Sequence, residues 1–316
     1  MLYTYNYLHA CLYAVCSSAG SLPLLSGSET REGVPRQKGE ALSDLLNRPD
    51  REKSRPVIAV IGSGGKTTAL KRLAREGSDR GLSVFYTTTT HIYPLNPPES
   101  RELLANPDWA SLKQSLKKPG IVCAGKSAGA GKLTSLDEKL LQAACRTADL
   151  TVCEADGSRH LPLKLHREGE PVLPPETSLC LTVAGLSALG RPVCDCVHRY
   201  ELHPGWKENP RQIAGASELV FCIEDAIRAA GRALPVLQEK SPESSPSSQI
   251  FPVKILLNQA DLLCSRKGSG GPDASSLLRE ARKAARLLSD QGLDCRMGSL
   301  NSHFFPLWEW IFDEIS

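Results

Sequence analysis

Glycine, lysine, threonine and two carboxylates carry the chemistry of this chain. The stretch Val57-Ile58-Ala59-Val60-Ile61-Gly62-Ser63-Gly64-Gly65-Lys66-Thr67-Thr68 passes from an apolar run through a glycine cluster into Lys-Thr-Thr and a helical pattern. Glycines carry no Cβ, so backbone N–H groups can converge on an anion. The helix that follows turns its positive end toward the same point. In such a loop Gly62, Ser63, Gly64 and Gly65 cradle phosphates, Lys66 reaches the outer ones, and the Thr67 hydroxyl ligates Mg²⁺ beside Thr68. The common spacing is G-x-x-x-x-G-K-[ST], and here Val60 stands five residues before Gly65. The loop is therefore a short variant, Gly62-x-Gly64-Gly65-Lys66-Thr67. Lys-Thr-Thr distinguishes it from an ordinary glycine-rich turn.

A second group follows an apolar stretch at Thr151–Cys153: Glu154-Ala155-Asp156-Gly157. Ligands of open α/β sheets gather beyond the carboxyl ends of strands. An acid there can hold Mg²⁺ next to Thr67, and Glu154, nearer the strand, is the better metal ligand. Asp156 can be a second ligand, orient a water, or face a substrate or partner. Asp-Gly is also a common turn, so the neighbouring phosphate loop is what favours the chemical reading. Cations follow in Ser158-Arg159-His160-Leu161-Pro162-Leu163-Lys164, and again at His198-Arg199. Lys164, His198 and Arg199 are candidates for binding an anionic substrate or charge developing on a phosphoryl group, while Arg159 reads as part of a solvated loop. The run Thr87-Thr88-Thr89-Thr90-His91 can line the same crevice. A third group, Leu257-Asn258-Gln259-Ala260-Asp261, resembles the N-K-x-D motif with which GTP-binding proteins read guanine. Asn258 and Asp261 are then base-binding candidates, and Gln259 in place of Lys leaves ATP and GTP both open. A strand ending in an Asn-Asp turn reads equally well.

These residues need strands to place them. From residue 56 strand and helix patterns alternate, which predicts an α/β fold with a mostly parallel sheet and helices on both faces. With the phosphate loop, this is a P-loop NTPase-like three-layer fold. Strands are expected at Val57–Ile61, Ser83–Thr87, Gly120–Ala124, Asp149–Cys153, Leu179–Ala184, Phe251–Leu257 and Leu293–Leu300. Helices are expected at about 67–80, 136–148 (capped by Ser135), 224–233 and 273–291. Gly125–Leu133 reads as a flexible turn, and 185–235 as less regular. Residues 1–40 read as a weakly ordered extension ahead of a single domain at 41–316. The Ser/Pro-rich stretch 239–250 reads as a low-complexity surface loop.

A chain of 316 residues can bury a large core. The net charge of +3 is too small to argue for nucleic acid. The apolar N-terminal stretch is too broken by Asn6, His9, Ser17 and Ser18 to span a membrane, so a cytoplasmic protein is expected. The eleven cysteines include no CxxC pair. Cys194-Asp195-Cys196 with His198 reads as thiols in a reducing compartment in preference to half a metal site.

The phosphate loop is close to the G-T-x-G-K-T loop of the Mur and folylpolyglutamate ligases. The whole ordered set resembles the YqeC-type selenium cofactor biosynthesis proteins, the selenium-dependent hydroxylase accessory family. That set comprises Ile58–Thr68, Thr87–His91, Glu154–Gly157 with Pro162-Leu163-Lys164, Glu170–Pro174, Val183–Pro192, Val197-His198-Arg199 and Leu257–Asp261, within roughly residues 41–300. The resemblance implies a P-loop protein that binds Mg²⁺ with ATP or GTP. It also implies a role in maturing a molybdenum hydroxylase with labile selenium, through NTP hydrolysis or phosphoryl transfer. Its implied partners are the nucleotide and the hydroxylase or its maturation proteins. A Mur-like ligase activating a carboxylate, and a nucleotide-gated chaperone or scaffold, are the alternatives.

Overall fold

Every residue of Val57–Gly62, the strand before the glycine cluster, is buried, because the strand is central in the sheet and covered on both faces. The computed structural model describes residues 55–233, 252–264, 273–302 and 305–312. The 1–40 extension and the 239–250 loop lie outside the described residues. The strands are β1 (Val57–Gly62), β2 (Ser83–Thr88), β3 (His91–Ile92), β4 (Glu102–Ala105), β5 (Gly120–Ala128), β6 (Lys132–Thr134), β7 (Leu150–Glu154), β8 (Leu163–Lys164), β9 (Leu179–Gly185), β10 (Val197–His198), β11 (Val253–Asn258) and β12 (Asp294–Met297). The main sheet runs β12-β11-β9-β1-β7-β2-β5-β6-β3, with β4 beside β5, while β8 and β10 form a separate pair. Its pairings are parallel except where β6 meets β5 and β3.

The helices are α1 (Lys66–Asp79), α2 (Trp109–Leu116), α3 (Glu138–Cys145), α4 (Val193–Cys196), α5 (Pro204–Glu208), α6 (Ala216–Ala233), α7 (Ala260–Cys264), α8 (Ala274–Asp290) and α9 (Leu307–Phe312). Alternation along β1 sorts them into layers. Ile58 and Val60 pack with α1 and α9. Val57 faces α2 and α3, and Ala59 and Ile61 face α6. Ile255 and Leu257 of β11 pack with α6 and α8. The three-layer α/β expectation holds. Burying each such Val, Leu or Ile side chain contributes about 1.5–3 kcal/mol.

Several boundaries differ from expectation for local reasons. Gly125–Leu133 is no flexible turn: β5 continues to Ala128 and returns as β6. A Cβ on Gly125 would lie 2.7 Å from the Thr134 carbonyl oxygen, so this glycine permits close pairing and does not break it. Ser135 does not cap α3, since its hydroxyl donates to the Leu136 carbonyl and the helix starts after Asp137. Helix α6 begins two turns before Glu224, where the Glu218 carboxylate accepts from Gly215 N–H at 2.8 Å. The last strand stops at Met297, because the chain then turns to meet Asn258, which accepts from Leu300 N–H at 2.9 Å. Among the described residues no helix is long and apolar enough to cross a membrane.

Candidate functional site

The carboxyl ends of β1, β7, β9 and β11 bring together Gly62–Lys66, Glu154–Asp156, Gly185–Ser187 and Asn258–Asp261. After β1 the chain enters α1 on one face, whereas α6 and α8 cover the opposite face beside β9 and β11. Adjacent strand ends whose helices leave to opposite faces open a crevice between them.

The loop fits its place only as glycine. Gly65 has φ 138°, and a Cβ there would lie 2.1 Å from the Asn258 side-chain nitrogen. A Cβ on Gly64 would lie 2.4 Å from Gly185 N and Cα. Two of the expected phosphate donors turn inward: Gly62 N–H donates to Asp156 Oδ2 at 2.9 Å, and Ser63 N–H to the Val183 carbonyl at 2.7 Å. The Ser63 hydroxyl donates to the Leu161 carbonyl. These two residues anchor the loop, and the outward donors are those at the start of α1. The first intrahelical bond belongs to Ala69 N–H, which donates to the Gly65 carbonyl, so the N–H groups before it have no intrahelical acceptor. No side chain caps α1 and its first turn holds no acid. The helix end is free for an outside anion.

Lys66 is 4% exposed and donates to the Gly62 carbonyl at 2.8 Å. The Thr67 hydroxyl donates to Glu154 Oε2 at 3.3 Å, while Thr68 is exposed on the next position of the helix. Burial pushes the Glu154 carboxyl above the usual range against the pull of Lys66, and Asp156 pushes the same way. A hydroxyl and a carboxylate side by side are hard oxygen donors that suit Mg²⁺. Among the described residues no three His, Cys, Asp or Glu side chains are placed to hold a metal by themselves. The threonine run braces this corner: Thr88 Oγ1 and Thr89 N–H donate to the Glu154 carbonyl at 2.8 and 3.1 Å, and Thr87 Oγ1 to that of Ala124 at 2.9 Å.

Asp156 occupies a different place from the one its motif suggested. It is wholly buried and faces no crevice. Its Oδ2 accepts from Gly62 N–H and His166 Nε2, both at 2.9 Å, and lies 3.0 Å from Lys164 Nζ. Its Oδ1 lies 3.1 Å from Lys66 Nζ yet has no aligned hydrogen bond. Burial alone would raise the Asp156 pKa, but Lys66, His166 and Lys164 outweigh it and hold the carboxyl far below the usual range. Lys164 is equally enclosed, donating to the Gly157 carbonyl at 2.8 Å and to Glu170 at 3.2 Å. Arg199 clamps Glu170 with both guanidinium ends. Lys164 and Arg199 are therefore paired with acids and present no free charge to a substrate. His198 is 8% exposed; burial, then Arg199, Lys164 and Arg159, hold its pKa down at about 4.

Two members of this cluster carry no motif. His166 Nδ1 lies 2.9 Å from Asp225 Oδ2, which also accepts from His166 N–H at 2.8 Å. Burial disfavours the charged ring, but the hydrogen bonds to Asp156 and Asp225 prevail and raise its pKa. One signal was available: Lys164 and His166 alternate on an extended segment and so share a side. Asp225 comes from α6, and nothing in the local sequence links it to His166.

On the other side of the loop, Asn258 donates to the Gly64 carbonyl at 2.8 Å and accepts from Leu300 N–H. Gln259, with φ 70°, accepts from the Ser187 hydroxyl at 2.6 Å. Asp261 stands in the first turn of α7, and its Oδ1 is enclosed without a hydrogen bond.

Residues 58–201 match the family model described as YqeC protein. The chain is 34% identical over 154 residues to the uncharacterized protein YqeC of Escherichia coli (strain K12), an alignment covering 47% of this chain and 59% of that protein. The chain thus spans less than two thirds of that relative. The family match contains the Gly62–Lys66 loop, Glu154, Asp156, Lys164, His166, Glu170, His198 and Arg199, and excludes Asp225 and Asn258–Asp261.

Proposed function

We propose, from the match of residues 58–201 to the YqeC family model, that this chain is a Mg²⁺-dependent nucleotide-binding protein of that family. In this reading it serves the maturation of a selenium-containing molybdenum hydroxylase cofactor in the cytoplasm. The observation that carries nucleotide binding is the convergence of an uncapped helix end, Lys66, and Thr67 hydrogen-bonded to Glu154 at one strand edge. The selenium and molybdenum role is supported by the ordered motif set of the sequence. The N–H groups at the start of α1 bind the phosphates and Lys66 neutralises the outer ones. Thr67 and Glu154 would hold Mg²⁺, which supplies charge neutralisation between phosphates. Hydrolysis or phosphoryl transfer at such a site needs positioning and electrostatics and no covalent step by the protein. In this reading Asp261 is the acid that reads the base. A carboxylate suits the adjacent ring and amino N–H donors of guanine better than the mixed edge of adenine.

The test is calorimetric titration with ATP, GTP, ADP and GDP, with and without Mg²⁺. Lys66→Ala should weaken binding about 10- to 100-fold, the equivalent of about 1.5–3 kcal/mol for a charge-assisted contact. Equal affinity in the variant and the parent would overturn the phosphate-loop reading.

A further inference from the structure

His166 is an unusual neighbour for a phosphate-binding lysine. Its side chain is wholly enclosed, and both ring nitrogens lie 2.9 Å from carboxylate oxygens of Asp156 and Asp225. Carboxylates accept and do not donate, so both nitrogens must carry protons and the ring is an imidazolium. Asp156 therefore faces three buried cations: Lys66, Lys164 and His166. Their grips differ. Lys164 shares its charge with Glu170, and Lys66 stands at Asp156 Oδ1 without an aligned hydrogen bond. His166 is aligned, and Asp225 fixes it from behind through ring and backbone together.

Lys66 cannot serve phosphates while its charge is committed to Asp156. Turning away leaves a buried carboxylate that must stay compensated, since an unpaired buried charge costs several kcal/mol. Both cations that remain have a second acid, Glu170 for Lys164 and Asp225 for His166, but His166 is the one hydrogen-bonded to Asp156. We propose that His166, locked by Asp225, is the positioning residue that frees Lys66 for the nucleotide phosphates by keeping Asp156 compensated when Lys66 leaves it. The proposal rests on the phosphate-loop reading of Lys66 and adds two residues, one of them from α6, to the machinery of that site. Without His166 the full charge of Asp156 falls on Lys66 and Lys164, and Lys66 is held back from the ligand.

The experiment is titration of the full chain with the Mg²⁺ complexes of ATP and GTP, with melting temperature measured alongside. His166→Gln should lower affinity tenfold or more. Asp225→Asn, at a partly exposed position, should lower it about threefold or more in the same direction. The pair Asp156→Asn/His166→Gln removes one anion and one cation together and should bring affinity back to within about threefold of the parent. A merely structural role for His166 predicts the opposite, a further loss in the double variant. Parent-like affinity in His166→Gln, or a double variant no tighter than His166→Gln, overturns the proposal. If the double variant fails to fold, Asp225→Asn decides, and parent-like affinity there overturns it. A parent protein that binds neither nucleotide overturns the phosphate-loop reading and this proposal with it. Binding by the parent and equal binding by His166→Gln overturns this proposal alone.

Discussion

The Gly62–Gly65 loop is held from two sides by opposite chemistry. Toward β7 and β8 the partners are ions: Asp156 against Lys66, Lys164 and His166, with Glu170 and Arg199 behind them. Toward β11 the partners are amides: Asn258 bridges the Gly64 carbonyl and Leu300 N–H, and Gln259 takes the Ser187 hydroxyl. An amide bridge sets position and is indifferent to a ligand's charge. An ionic cluster changes its balance as soon as an anion takes one of its cations. The structure thus keeps shape on one flank and charge response on the other. The loop glycines sit where the two meet, with Gly65 against Asn258 and Gly62 N–H on Asp156.

The largest effect belongs to the ionic flank. Asp156→Ala removes the acid ion-paired to Lys66 and leaves three buried cations to repel one another, and it should destabilise the fold by about 3–5 kcal/mol. Urea denaturation checks this, and a loss under 1 kcal/mol would show that water or rearrangement replaces the carboxylate. On the amide flank Asn258→Ala breaks two hydrogen bonds and exposes no charge, so its cost should be smaller, about 1–3 kcal/mol. A cost equal to that of Asp156→Ala would erase the contrast between the flanks.

Glu154→Gln tests where the ionic flank ends and the proposed metal site begins. The amide keeps the acceptor for Thr67 but is a poorer ligand for a hard cation. Affinity for nucleotide without metal should hold within about threefold, while the strengthening brought by Mg²⁺ should fall about tenfold, a difference of about 1.4 kcal/mol. Undiminished activity at limiting Mg²⁺ would remove Glu154 from the metal site.

The smallest effects concern the base. Asp261→Asn should lower the GTP-to-ATP affinity ratio a few-fold, because an amide nitrogen turned toward guanine N–H groups places donor against donor. Gln259→Lys should raise the ratio, the lysine stem covering the base plane at the cost of the Ser187 hydrogen bond. General loss of stability cancels in the ratio. If neither substitution moves it, base selection lies away from Asp261.

The α/β alternation, the central place of β1 and the loop running into α1 were legible in the sequence, because local composition dictates them. A fully apolar stretch must be a covered strand, and three glycines followed by Lys-Thr leave the chain few other turns. Glu154 was legible as well, since the end of an apolar strand is a position readable from order alone. The partnerships across the sheet were not. Asp156 and Glu154 lie two residues apart on one strand end, yet one meets Thr67 and the other is enclosed among cations brought by β8, the following segment and α6. Glu170 entered the sequence reading only as the first residue of the Glu170–Pro174 stretch, and in the structure it binds Lys164 and Arg199. His166 and Asp225 are 59 positions apart and become partners only when α6 packs beneath β8. Sequence alone determined which groups stand at the strand ends, since this follows from chain order and hydrophobic period. Tertiary structure decided which of them are spent on one another and which remain for a ligand, because burial and pairing depend on the long-range packing that brings each charge its neighbours.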